Sequence, residues 1–281
     1  MRFPPLTEKK VIVFDLETQK SFDEVGGYAN TSMLKVSVNG VWDYRERTLR
    51  AWREKDLINW ESHLKECELL IGFNSRKFDC AVLQPYFPYF DLDKIPHLDL
   101  LESVYTILGF RLKLQSLVTA TLGEGKSGSG LDALEFFRAG QWEKLEKYCL
   151  DDVRLTRDLF EYGVRHGRVW YPEGQKMREI KVDWRKWIPE YTATETIPEQ
   201  IMSAAASGKR LVIQYLQSGG VDYDGNTIVD RPEWTIDCLD IKNDAVHVFI
   251  HELHQERILS LSRIFNAVET GESSTQQRSL F

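Results

Sequence analysis

Asp15 and Glu17 flank Leu16 directly after the apolar run Val11-Ile12-Val13-Phe14. A continuous β-branched, apolar run reads as a strand buried on both faces. Its period of two turns Asp15 and Glu17 to the same side at the strand's end. Asp79 closes a second stretch, IGFNSRKFD, which leaves an apolar strand through the turn Asn74-Ser75-Arg76-Lys77-Phe78. Tyr148 and Asp152 stand four residues apart in KYCLDDV, so on a helix they project from one face. Asp151 is rotated away by about a third of a turn and reads as an outer or solvated acid. Carboxylate oxygens are hard ligands suited to Mg²⁺ or Mn²⁺. Four such acids brought together could hold two ions. Each fragment alone also has a plainer reading: a polar strand end, a helix cap at Asp79, a core aromatic at Tyr148.

The elements that must carry these residues follow from the pattern. Met33 to Val38 and Arg47 to Trp52 read as strands, with Asn39-Gly40 as the turn between them. Leu57 to Lys65 is helical, Leu69 to Phe73 is a buried strand, and His97 to Leu101 is a short strand or strand–helix junction. Leu114 to Leu122 and Leu131 to Arg138 have helical spacing, and Gln141 to Tyr162 is the longest amphipathic helix. Paired strands followed by alternating strand and helix predict an α/β layer with a mixed sheet.

With the motifs in this order, the chain resembles the DEDD superfamily of 3′–5′ exonucleases in its tyrosine subclass, which has an RNase H-like fold. The matching motifs are DxE (Asp15, Glu17), NxxxFD (Asn74, Phe78, Asp79) and YxxxD (Tyr148, Asp152), within about residues 8–165. HLDLLESVY and GKSGSGLDALEFF also resemble the branch related to proofreading domains of family B polymerases. The resemblance implies two Mg²⁺ or Mn²⁺ ions about 3.5–4 Å apart. Asp15 would bridge them, Glu17, Asp79 and Asp152 would complete the ligand set, and Tyr148 would orient the attacking water. Asn74 reads as a brace for the loop or a contact to the substrate backbone, and Phe78 as a seal on the core beneath Asp79; both are candidate substrate-binding residues. Lys113, Lys126 and Arg111 read either as a basic rim for phosphates or as a solvated charged loop. Asp99 reads as a cap for LLESVY or as an outer acid.

The 281 residues carry a net charge of −7, with 42% hydrophobic and 12% aromatic residues. That balance argues for a packed core and against a protein that coats nucleic acid by bulk charge. Four cysteines without a CxxC pair argue against a zinc knuckle or disulfide framework. With no signal-peptide pattern and no long apolar run, a cytoplasmic protein with no membrane partner is expected.

The expected division is a nuclease-like domain over 1–172, a connector over 173–195, a second domain over 196–270 and a disordered tail over 271–281. GKRLVIQY, AVHVFIHE and ERILSLSRIFNAVE resemble a WYL domain, which implies a small SH3-like β-barrel. Tyr215, His251, Arg257 and Arg263 would line its phosphate-binding face. The domain reads equally as a substrate-positioning or dimerisation module. The last five residues resemble the bacterial sliding-clamp-binding motif, with Gln277, Leu280 and Phe281 as anchors. The combined expectation is a metal-dependent 3′–5′ exonuclease of DNA, acting on single strands or 3′ ends in replication, repair or defence. The alternatives are an RNA-processing exonuclease and an inactive nucleic-acid sensor. The clamp-like tail favours DNA.

Overall fold

A computed structural model describes residues 9–125, 130–188, 195–221 and 226–274. The first part contains β1 (Val11–Thr18), α1 (Phe22–Val25), β2 (Val36–Asp43), β3 (Thr48–Arg53), α2 (Leu57–Lys65) and β4 (Leu69–Gly72). It continues with α3 (Asp79–Leu83), β5 (His97–Asp99), α4 (Leu100–Leu108), α5 (Leu114–Leu122), α6 (Gly130–Arg138) and α7 (Trp142–His166). The five strands form one sheet in the order β3-β2-β1-β4-β5. β1 is antiparallel to β2 and parallel to β4, so the sheet is mixed as expected.

Helices cover both faces, and this explains the unbroken apolar run of β1. Val11 and Val13 pack with Val104 of α4, Leu117 of α5 and Val153 and Leu159 of α7. Ile12, Phe14 and Leu16 point the other way, into Trp60 and Leu64 of α2 and Val82 and Leu83 of α3. A strand buried on both sides has no reason to alternate polar and apolar residues.

Two expectations in this region change. Asn39-Gly40 is not a turn: β2 runs through it, and the reversal falls at Tyr44–Arg47, with Arg47 in the left-handed region (φ 56°). Asp43 stabilises that turn by accepting from the backbone N–H groups of Arg45 and Glu46. Gly40 serves packing instead. A side chain there would place its Cβ 2.9 Å from both Cys149 Sγ and Val153 Cγ2, so glycine lets α7 lie close on the sheet. The second change lies beyond α7. A hairpin of β6 (Arg168–Glu173) and β7 (Lys176–Lys181) spans the boundary between the expected first domain and the connector over 173–195. Trp184 then folds back, fully buried, over Gly163 of α7, where any Cβ would strike its ring. Aromatic packing orders this stretch despite its weak periodicity.

The C-terminal part opens with α8 (Ile197–Ser207), started by a capping box of Thr196 and Glu199. It continues with β8 (Lys209–Tyr215), β9 (Gln217–Val221), β10 (Thr227–Asp230), β11 (Glu233–Lys242), β12 (Ala245–Ile250), β13 (Gln255–Ser260) and β14 (Ile264–Ser273). β9 and β10 pair separately, and the rest form an antiparallel sheet in the order β13-β12-β11-β8-β14. Ile201 and Ala204 of α8 pack on its apolar face with Ile213, Ile236 and Val248. The expected closed barrel is replaced by an open sheet, because among the described residues β13 and β14 do not pair with each other. β14 runs on through residues 271–273, where Ser273 pairs with Lys209.

The second sheet docks on the end of α7. Tyr162 donates its hydroxyl hydrogen to Ser262 O at 2.8 Å, and His166 Nε2 lies 2.8 Å from Ile264 O. Arg231 joins Glu124 (2.8 Å) and Asp158 (2.6 Å). No helix of the described residues is long and apolar enough to cross a membrane.

Candidate active site

The antiparallel register sets Asp15 opposite Gly40, at the point where α7 crosses β1 and β2. Close approach at Gly40 lets Cys149 Sγ reach Asp15 O at 3.4 Å. Tyr148 and Asp152 flank Cys149 by one residue and three along α7 and come down on the acids of β1. One carboxylate oxygen from each of Asp15, Glu17 and Asp152 lies within 4.8 Å of the other two. Residues 137 positions apart in the chain thus share one cluster, supplied by a strand end and a helix face.

Tyr148 stands beside this cluster, half-buried. Burial, then the charges of Asp152, Glu17 and Asp15, push its phenol far above the ordinary tyrosine range. It stays protonated and can donate a hydrogen bond.

Asp79 is close but differently engaged. It does not share the oxygen cluster of the other three. Its Oδ1 accepts from the backbone N–H of Leu16, the residue between Asp15 and Glu17, at 3.1 Å. Asp79 is the first residue of α3, with Phe78 at the cap position, so the helix-cap reading gives way to a link with β1. Only 2% of it is exposed, and burial raises its carboxyl above the usual range, with Leu16 N–H opposing and Asp99 reinforcing the shift.

The loop before Asp79 is braced by a residue whose full role spacing does not reveal. Asp99 caps α4 by accepting from Leu101 and Glu102 N–H, as expected for a cap. The same carboxylate accepts from the N–H groups of Asn74 (2.9 Å) and Arg76 (3.1 Å). Asn74 adopts φ 66°, a conformation that asparagine tolerates better than most residues. Its side-chain oxygen accepts from Arg111 at 2.6 Å, which ties Arg111 to this loop. Phe78 is half-buried against the second core and lies 5.9 Å from the Phe22 ring. Lys113 is exposed just before α5, and Lys126 lies outside the described residues. Asp151 faces Arg154 at 3.9 Å.

The C-terminal candidates lie on several elements of the second sheet. Tyr215 lies on the core side of β8, stacked on Trp234 at 5.5 Å, with Arg263 6.0 Å from its ring. His251 lies against Asp237 at 3.1 Å, whereas Arg257 pairs with Val248 on the edge strand. Gln277, Leu280 and Phe281 fall outside the described residues.

The donor set of the β1/α7 cluster fits a hard divalent cation, since all of its offered atoms are carboxylate oxygens. A second group of possible ligands, Asp43, Glu46 and His63, differs in one respect. Lys10 Nζ lies 2.8 Å from Asp43, 3.2 Å from Glu46 and 2.9 Å from His63. There the ammonium of Lys10 supplies the positive charge.

The family described as the RNase_H superfamily matches residues 12–164. Among solved structures, similarity extends to the family B DNA polymerase from the hyperthermophilic archaeon Pyrobaculum calidifontis, at 14% identity and a TM-score of 0.40, over 75% of this chain and 34% of that one. It also extends to the proteasome accessory factor B/C (PafBC) of Arthrobacter aurescens, at 13% identity and a TM-score of 0.22, over 85% of this chain and 25% of that one. The chain thus spans about a third or less of these proteins. No curated protein matches it.

Proposed function

Since the chain belongs to the RNase H superfamily, we propose that it is a metal-dependent 3′–5′ exonuclease that hydrolyses phosphodiester bonds of DNA. The observation that carries this reading is the gathering of Asp15, Glu17 and Asp152 within 4.8 Å, with Tyr148 beside them. In this reading Asp15, Glu17 and Asp152 hold the Mg²⁺ or Mn²⁺ ions, with Asp79 completing the set from the start of α3. Such ions, when bound, supply the Lewis acidity for attack of water on a phosphodiester. Tyr148 keeps its proton and orients water by donating a hydrogen bond, rather than acting as a base. Asn74, held by Asp99 and Arg111, offers its amide to the substrate strand. Arg111 and Lys113 supply positive charge near it in an otherwise acidic protein.

The test is a time course on 5′-labelled single-stranded DNA, duplex DNA and RNA with Mg²⁺, Mn²⁺ or EDTA. A descending ladder on DNA, abolished by EDTA, is expected. Cleavage that persists in EDTA, or products from internal sites only, would overturn the proposal. A ladder confined to RNA would move the substrate to RNA and leave the chemistry unchanged. Residues 277–281 extend the reading to a bacterial sliding clamp. Their deletion is expected to abolish clamp pull-down and spare cleavage of short oligonucleotides.

A further inference from the structure

Beside the Asn74–Phe78 loop, a cleft of ≈ 450 Å³ runs between the exposed face of α4 and the chain that follows β7. Arg76, Glu102, Thr106, Lys181, Lys186 and Trp187 are among its walls. We propose that this cleft binds the 5′-ward part of the single strand whose 3′ end enters the acidic site. The inference rests on the nuclease reading given above and names where the rest of its substrate lies.

Three observations carry it. First, two of the cleft's cations, Lys181 and Lys186, are uncommitted, although Asp99, Glu102 and Asp183 also line it. Glu102 already faces Arg76 (3.8 Å) and Lys77 (3.3 Å). Lys181 and Lys186 are exposed, and among the described residues neither has a carboxylate within ion-pair distance. The smaller cleft of ≈ 220 Å³ between α5, α7 and β10 is different. Its Arg154 and Arg231 are both matched to Glu124 and Asp158. In a chain of net charge −7, unmatched lysines lining a cleft mark a place where a phosphate backbone can approach.

Second, an aromatic ring lies among the cations. Trp187 is half-buried against the core and lines the cleft. A ring anchored on one side with cations around it is the combination that holds single strands without reading sequence: phosphates meet the charges and a base stacks on the ring. Third, the cleft shares Arg76, and Asp99 that braces it, with the loop that leads to Asp79. Arg76 is also held by donation to His97 O at 2.9 Å. A strand with its end at Asp15 and Asp79 can pass over this loop into the cleft. Its volume lies within the roughly 300–1,000 Å³ typical of ligand pockets.

The experiment measures binding in EDTA, where cleavage is blocked, using 5′-fluorescein oligothymidylates of about 4 and about 20 nucleotides. Lys181→Gln/Lys186→Gln and Trp187→Ala are compared with wild type. The long oligomer is expected to bind the Trp187→Ala variant at least ~5-fold more weakly. Each lysine removed should lower the slope of log Kd against log salt by about 0.7. The lysine variant changes exposed residues only, so it keeps the test valid if Trp187→Ala misfolds. Unchanged affinity and slope for the long oligomer in the lysine variant would overturn the cleft, even with wild-type cleavage intact. A wild-type protein that binds through these residues but cleaves nothing in Mg²⁺ or Mn²⁺ would support the cleft and overturn the nuclease reading.

Discussion

Asp15, Glu17 and Asp152 place three carboxylates within 4.8 Å of one another, a cluster that a bound cation would stabilise by offsetting their mutual repulsion. Mg²⁺ or Mn²⁺ is therefore expected to raise the melting temperature of wild type, because a ligand that binds only the folded state stabilises it. Asp15→Ala and Asp152→Ala should remove that increase and abolish cleavage while the fold persists. Thermal denaturation with and without metal checks this, and an equal metal response in Asp152→Ala would contradict it. Tyr148→Phe removes only a hydroxyl and should retain a small fraction of wild-type cleavage, measured as kcat on labelled DNA. These residues were legible in the sequence because their spacing on a strand and on a helix sets their direction. The bond from Leu16 N–H to Asp79 was not, since it joins positions 63 apart.

At the level of elements, α7 is the spine. Its first half carries Tyr148 and Asp152, and its last turns hold the second sheet. Gly40 controls how closely it lies on β1 and β2. Gly40→Val would force its side chain into Cys149 and Val153, and overpacking of this kind costs about 1–3 kcal/mol. Denaturant unfolding should show that loss, and cleavage should fall as Asp152 moves from Asp15. At the other end of α7, burial is the main reason the His166 imidazole titrates at about 3 instead of 6.5, opposed by the Ile264 carbonyl. The folded state thus holds His166 neutral, while the unfolded chain takes up a proton below 6.5. Its contribution to stability is complete above that value and is lost as pH falls from about 6.5 toward 3. His166→Gln should flatten that part of the stability–pH curve, measured by urea unfolding between about pH 7 and 4. Helical periodicity revealed α7, but glycine beside asparagine reads as a turn, and only the packed helix shows why glycine stands at position 40.

For the whole molecule, the question is what unites the two sheets. Arg231 follows β10 and reaches back to Glu124 and Asp158, with its guanidinium 4.4 Å from the Phe265 ring centroid. Burial alone would raise the Asp158 carboxyl, yet Arg231, Arg157 and Arg154 together hold it below the usual range. Arg231→Met would leave Glu124 and Asp158 buried with less compensation, a loss of about 3 kcal/mol. The double variant Arg231→Met/Asp158→Asn should recover part of it in a double-mutant cycle. Equal stability of Arg231→Met and wild type would show that the docking rests on Tyr162, His166 and apolar contact alone.

Local pattern determined the mixed sheet, the two-sided burial of β1, the helical faces and the three acid-bearing motifs, because each depends on spacing within one element. Tertiary structure decided which side of Asp79 is tied to β1, that Asp99 both caps a helix and orders a loop, and that Lys10 serves as the counter-ion of a second acidic group. It also decided that residues 168–181 pair as a hairpin and that the C-terminal sheet stays open. The physical reason is common to all of them. Hydrogen bonds, ion pairs and strand edges are settled between residues far apart in the chain, where periodicity carries no record of the partner.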